Sequence, residues 1–197
     1  MDILNLLLAI IAIIISIFSF YESKKQANIS KNQFTLSYLE MENNDSELLE
    51  ARRWLLNLEN KTEYITSFSS QENFLRYKGY EIKKSESGLY DFPNKDLVNE
   101  YILGLNYINK IIASRQIASE AIILKNLDED TYRLVRLEDF SRDYLKLKDF
   151  IIKQHEIHGS SFDRKAFRIL VHKWKNEIID NFDGEISKDK WDKHNQW

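Results

Sequence analysis

The stretch ILNLLLAIIAIIISIFSF, Ile3 to Phe20, holds no charge, no proline and no glycine. No other segment of the 197-residue chain restricts the fold as tightly. At the rise of an α-helix the run is roughly 27 Å long, about the hydrocarbon thickness of a bilayer, which predicts a single membrane-spanning helix. A cleaved signal peptide would need a basic n-region, a shorter apolar core and a small-residue cleavage site. Here Asp2 follows Met1, and the run ends in Phe18-Ser19-Phe20-Tyr21, aromatic residues placed where a belt meets the headgroups. Lys24, Lys25 and Lys31 follow the run and no basic side chain precedes it, so the positive-inside rule puts the N-terminus outside and the body in the cytoplasm.

Within the run, the residues that are not large and apolar are Asn5, Ala9, Ala12, Ser16 and Ser19, separated by 4, 3, 4 and 3 positions. That is the spacing of one face of a helix in a left-handed supercoil. The same count continues through Ser23, Gln26, Ser30, Gln33 and Ser37, and all ten positions are small or neutral-polar. One helix from Ile3 to about Glu42 would carry them inside an arc of roughly 120°. The strip has three readings: chance in a simple anchor, close packing of helices through small residues, or the lining of a water-filled ring of several copies. The last two both require self-association. Gln26 and Gln33 are bulky for a tight dimer seam, which favours a ring.

The body is different in character. Once Asp2 is set aside, 28 Lys and Arg stand against 30 Asp and Glu (31 less one). This is not the basic balance of a protein that grips nucleic acid through its phosphates. With no cysteine, disulfides, thiolate metal sites and a Cys nucleophile are excluded, and one proline with five glycines favours long helices. Helical patterns recur: NNDSELLEARRWLLNLE with Asp45 or Ser46 as cap and Leu48, Leu49, Leu55 and Leu58 on its apolar side, then QENFLRYKGY ended by Gly79. From Lys95 the sequence KDLVNEYILGLNYINKIIAS puts Leu97, Tyr101, Leu105, Ile108 and Ile112 on one face, and Ser119 or a neighbour caps a short helix, EAIILKNL. A long helix runs from about Asp128 to Gly159, and a last amphipathic one, opened by Ser161 or Asp163, covers FDRKAFRILVHKWKNEIIDNF.

The expected fold is therefore all-α: an N-terminal transmembrane helix continuing into a cytoplasmic bundle of about five or six helices. It divides into residues 1–42, a bundle over 43–182, and a polar tail over 183–197 that carries Trp191 and Trp197. There is no internal repeat, no Gly-rich phosphate loop and no βαβ alternation, and no cofactor or metal is expected.

Few residues suggest chemistry. His155 and His158 flank Glu156, but a metalloprotease helix needs two His four apart, so they read as an exposed helix end favoured by the dipole. Arg168 and His172 share one face of the last helix at i,i+4. They are the weak catalytic candidates: HEPN-type helical ribonucleases use an Arg and a His near a dimer seam, yet their motif places four to six residues between the two, where this chain has three. Trp54 and Trp174 read as core or subunit-contact aromatics. Arg164, Lys165, Arg168, Lys173 and Lys175 make one basic helix, by default a solvated face.

With the N-terminal run, LLEARRWLLNL, VNEYILGLNYINKII and YRLVRLEDFSRDYLKLKDFI in order, the chain resembles uncharacterised bacterial single-span proteins with a small cytoplasmic helical domain, over roughly residues 1 to 155. It also resembles the membrane accessory proteins of type VI-B CRISPR systems, which join one N-terminal span to a degenerate HEPN-like body. The resemblance implies a bacterial inner-membrane protein that self-associates into a pore and assists an RNA-guided ribonuclease in antiphage defence. Its partners would be lipid, further copies of itself and that ribonuclease or another defence protein. Two alternatives stand beside it: a membrane tether for a cytoplasmic partner, and a membrane-bound ribonuclease using Arg168 and His172.

Overall fold

A computed structural model describes residues 3–58, 61–83, 90–159, 164–174 and 177, with the side chains of α1 described from Ile10 onward. Among these residues there are seven helices and no strand: α1 (Ile3–Asn44), α2 (Ser46–Asn57), α3 (Thr62–Ser67), α4 (Gln71–Tyr77), α5 (Lys95–Ile123), α6 (Glu129–His158) and α7 (Lys165–Lys173). The all-helical expectation holds: α1 is followed by six helices, α2 to α7, against the five or six anticipated for the bundle. The shortest of them is α3, six residues and under two turns.

Local chemistry explains most boundaries. Asp45 caps α2 by accepting from Leu48 N–H at 3.0 Å, Ser70 caps α4 through Asn73 N–H, Asn94 caps α5 through Leu97 N–H, and Asp128 caps α6 through Thr131 N–H. Gly79, at φ 78°, ends α4: its N–H reaches Arg76 O and the Tyr80 N–H reaches Leu75 O, both at 3.0 Å. This pair of bonds closes a helix through a left-handed residue, where glycine carries no Cβ penalty.

Two expected boundaries are corrected. Ser119 caps nothing, because α5 runs unbroken to Ile123; its hydroxyl donates instead to Arg115 O at 2.6 Å, inside the helix. The proposed caps Ser161 and Asp163 lie outside the described residues, and α7 begins after Arg164, which makes no side-chain cap. The tail over 183–197, with Trp191 and Trp197, also lies outside the described residues.

The bundle is built on the two long helices. α2 and α7 pack on α5, α3 packs on α6, and α1 meets the body through α2 and α6. The predicted stripe of α5 is the buried one: Leu97, Tyr101, Ile108 and Ile112 are buried and Leu105 half-buried. Around Phe68 the rings of Tyr64, Phe74, Trp54 and Tyr101 gather with centroids 4.9 to 6.1 Å away, so Trp54 is a core-edge aromatic as expected. Gly104 makes this packing possible, since a Cβ there would run into the Phe68 ring.

Among the described residues no helix is long and apolar enough to cross a membrane. From Ile10, where the described side chains of α1 begin, the apolar stretch reaches Tyr21, about 18 Å of helix, before Glu22, Lys24 and Lys25. What the structure does give is a helix of the expected extent, Ile3–Asn44, standing out from the bundle with Ile10, Ile15, Phe18 and Phe20 between 47% and 72% exposed.

Candidate functional site

α1 has two faces once it reaches the body. Thr35, Leu39 and Glu42, spaced 4 and 3, are buried, and with Lys31 and Tyr38 they form the face that binds the bundle. The Thr35 hydroxyl donates to Lys31 O at 2.9 Å and accepts the Asp128 N–H at 2.7 Å, while Lys31 Nζ stands 3.7 Å from the Asp128 carboxylate. The Tyr38 ring leans on Tyr132 at 6.3 Å. α1 is thus pinned at the start of α6.

One turn further on, Glu42 enters a buried charge cluster. Its carboxylate accepts from Ser114 Oγ at 2.9 Å, from Arg136 Nε at 3.2 Å, from Tyr132 OH at 3.3 Å and from Arg115 Nη1 at 3.4 Å. Arg115, 1% exposed, also donates from Nε to Asp143 at 2.8 Å and from Nη1 to Tyr132 OH at 3.0 Å. Arg136 binds Asp139 at 3.3 Å and additionally holds Asn43, and Arg52 closes the ring on Asp139 at 2.6 Å. Three arginines face three carboxylates from α1 and α6, so the cluster is neutral. It has no surplus charge with which to hold a phosphate or a metal, and it works as a joint between α1, α2, α5 and α6.

Its electrostatics follow from that enclosure. Burial opposes the Arg115 charge, but Tyr132, Asp143 and Glu42 outweigh it and hold the guanidinium firmly protonated. Burial raises the Tyr132 hydroxyl, and burial with help from Glu42 pushes Tyr38 up to about 12. Burial would raise Asp139, yet the Arg52 hydrogen bond and charge, with the charges of Arg115 and Arg136, carry it below the usual range.

The caps add a pH dependence. The Leu48 N–H lowers Asp45 and the Thr131 N–H lowers Asp128, each ahead of its lysine partner, Lys110 or Lys31. A carboxyl whose folded pKa lies below its unfolded one gives its full stabilisation above the unfolded value, about 3.9 for Asp, and loses it as pH falls through the folded value. The thermal midpoint is expected to hold level between pH 7 and 5 and to drop below about pH 4, and replacing both Asp45 and Asp128 with Asn should flatten the drop in melts followed by circular dichroism.

The opposite face of α1 carries the strip. Ala12, Ser16, Ser19, Ser23, Gln26, Ser30, Gln33 and Ser37 are all exposed, and the members from Ser23 on lie on the side away from Thr35, Leu39 and Glu42. Asn5 and Ala9 lie outside the residues whose side chains are described. Ser16 folds its hydroxyl back onto Ala12 O at 2.8 Å, which satisfies the serine within its own helix. The ten-position pattern thus sits on one continuous helix, and the body leaves its described part uncovered.

The remaining candidates lie on α6 and α7, with Arg168 and His172 four residues apart on α7. Arg168 is half-buried beside Tyr144, whose hydroxyl is pushed up to about 12 by burial despite the arginine, whereas His172 is exposed on α7. His155 and His158 end α6, as the dipole reading expects. Trp174 is core: it is 1% exposed, packs tilted on Phe140 with ring centroids 4.9 Å apart and donates to Glu129 at 2.9 Å. Among the described residues no group of three His, Asp or Glu side chains is placed to hold a metal ion.

The buried cluster is what the sequence reading missed. Its signal was present in the stripe Tyr132, Arg136, Phe140, Asp143, Leu147, where charges occupy inward positions at 4, 4, 3 and 4, and in Arg115 between Ile111, Ile112 and Ala118. No protein-family model, curated protein or solved structure matches the chain.

Proposed function

We propose that the chain is a self-associating membrane protein: α1 crosses the bilayer once, N-terminus outside, and the strip from Asn5 to Ser37 faces the axis of an oligomeric pore or channel-like ring. The cytoplasmic bundle holds the ring's position and takes a signal from a partner, which suits an accessory or effector in CRISPR-linked antiphage defence at the bacterial inner membrane. One observation carries this reading. The bundle binds α1 through Thr35, Leu39 and Glu42 and leaves the strip open on the far side. Exposed Ile10, Ile13, Ile15, Phe18 and Phe20 form an apolar surface that a water-soluble monomer rarely shows, and lipid with neighbouring copies would cover it.

The test is conduction. Ser16→Leu with Ser19→Leu is expected to abolish depolarisation of a membrane expressing the chain while leaving insertion intact. Depolarisation at the wild-type level in the double variant would overturn the pore. A ring that forms but never conducts would support the tether reading instead, which the rigid joint at Glu42 favours because it fixes the bundle to the membrane helix.

A further inference from the structure

Between α1 and the last turns of α5 lies a groove of about 640 Å³. Phe34, Tyr38, Ile117 and Ala121 line its apolar part, and Lys31 and Lys125 stand at its rim. Phe34 and Ile117 are 54% and 55% exposed, so the groove is unfilled apolar surface on one flank of α1. The other flank carries no residue of the bundle among those that line its surface around Ile29. Ile29 and Leu36, 48% and 57% exposed, are seven residues apart and project the same way from bare helix, with Glu22 and Glu40 in line at seven residues before and four after. At about 100° per residue, Phe34 and the Ile29–Leu36 pair fall on opposite sides of the strip.

We propose that neighbouring copies meet head to tail, with Ile29 and Leu36 of one copy seated in the α1–α5 groove of the next. This rests on the self-association reading and specifies its contact. Three features select a second copy as occupant. Copies anchored in one bilayer and related by an axis along its normal must touch at equal heights. The knob, at residues 29 and 36, and the α1 side of the groove, from Ala27 to Tyr38, are at the same height. The charges also correspond, since Glu22 and Glu40 flank the knob, with Lys25 beside Ile29, while Lys125 and Lys31, the latter also paired to Asp128, flank the groove. Finally, knob and groove are different surfaces, so the contact is heterologous and repeats around a ring, where a two-fold dimer would need one self-complementary patch.

The test uses the full chain in detergent and native mass spectrometry. Leu36→Arg removes the knob and Ile117→Arg blocks the groove, and both sites are exposed enough for either arginine to reach solvent. Wild type is expected to give a ring, and each variant alone should lose at least tenfold of the higher species. An equimolar mixture should give heterodimers, because the intact groove of one variant accepts the intact knob of the other and both remaining flanks are dead. That heterodimer also proves both variants folded. A ring that persists in either variant, a variant that dimerises by itself, or a mixture that stays monomeric overturns the head-to-tail contact and leaves self-association standing. A monomeric wild type overturns the self-association reading itself.

Discussion

Replacing Arg115 with methionine is expected to lower the stability of the folded chain by about 3–5 kcal/mol, the usual cost of removing one partner from a buried charge cluster. The loss follows from what stays behind. Asp143 is 4% exposed and would keep only the edge of Arg52 at 3.6 Å, and Tyr132 would lose its closest hydrogen bond. Methionine matches the aliphatic length of arginine, so a cavity contributes little and the penalty is mainly electrostatic. The further change Asp143→Leu on the Arg115→Met background should recover part of the loss, because it removes the orphaned charge. Thermal melts of the full chain in detergent measure both steps. A single-variant loss below about 1 kcal/mol would show that the cluster is not dry.

Such a variant also bears on function. Arg115 and Arg136 hold Glu42, and Glu42 with Thr35 sets the rotation of α1 against the bundle. A loosened joint should leave membrane insertion unchanged and weaken any assembly that depends on how α1 presents its outer face.

What was legible in the sequence divides along physical lines. Periodicity and caps are local, and from them follow the extent of α1, a cap at Asp45 or Ser46 of which the structure uses Asp45, the Gly79 stop and the inward stripe of α5. The break expected at Ser119 failed because serine is a capping residue only where backbone N–H groups are unpaired. Inside α5 they are paired, and the hydroxyl back-bonds to Arg115 O. The charge cluster was hidden for a related reason. A charged residue on an apolar stripe is locally unfavourable, and only the arrival of Glu42, Arg115, Asp143 and Arg52 from four helices makes it neutral. The small-residue strip, in contrast, needed no partner to be seen, and the two faces of α1 explain why: the bundle takes one and leaves the other.

Trp174→Ala is expected to detach α7 at a cost of about 3–5 kcal/mol, the range for emptying a buried tryptophan site. α7 has nine residues and no side-chain N-cap, too short to persist undocked. It is held by Phe167, Leu170, Val171 and Trp174, one face at 3, 1 and 3 spacing, with Phe167 at 4.8 Å and Trp174 at 4.9 Å from the Phe140 ring. Two polar ties complete the docking: Gln116 Oε1 accepts the Phe167 N–H at 3.1 Å, and Glu129 accepts the indole N–H. Hydrogen exchange should therefore speed up across Lys165–Lys173 while the α5 core around Ile111 and Ile112 stays protected, a local opening. Trp174→Phe keeps most of the packing and loses only the Glu129 bond, so it should restore most of the protection. This variant also separates the functional readings, because α7 carries Arg168 and His172 and, among the described residues, contributes none to the lining of the groove. If the outer face of α1 conducts, detaching α7 leaves conduction near the wild-type level; RNA cleavage that vanished with α7 and returned in Trp174→Phe would move the activity to the Arg168–His172 pair.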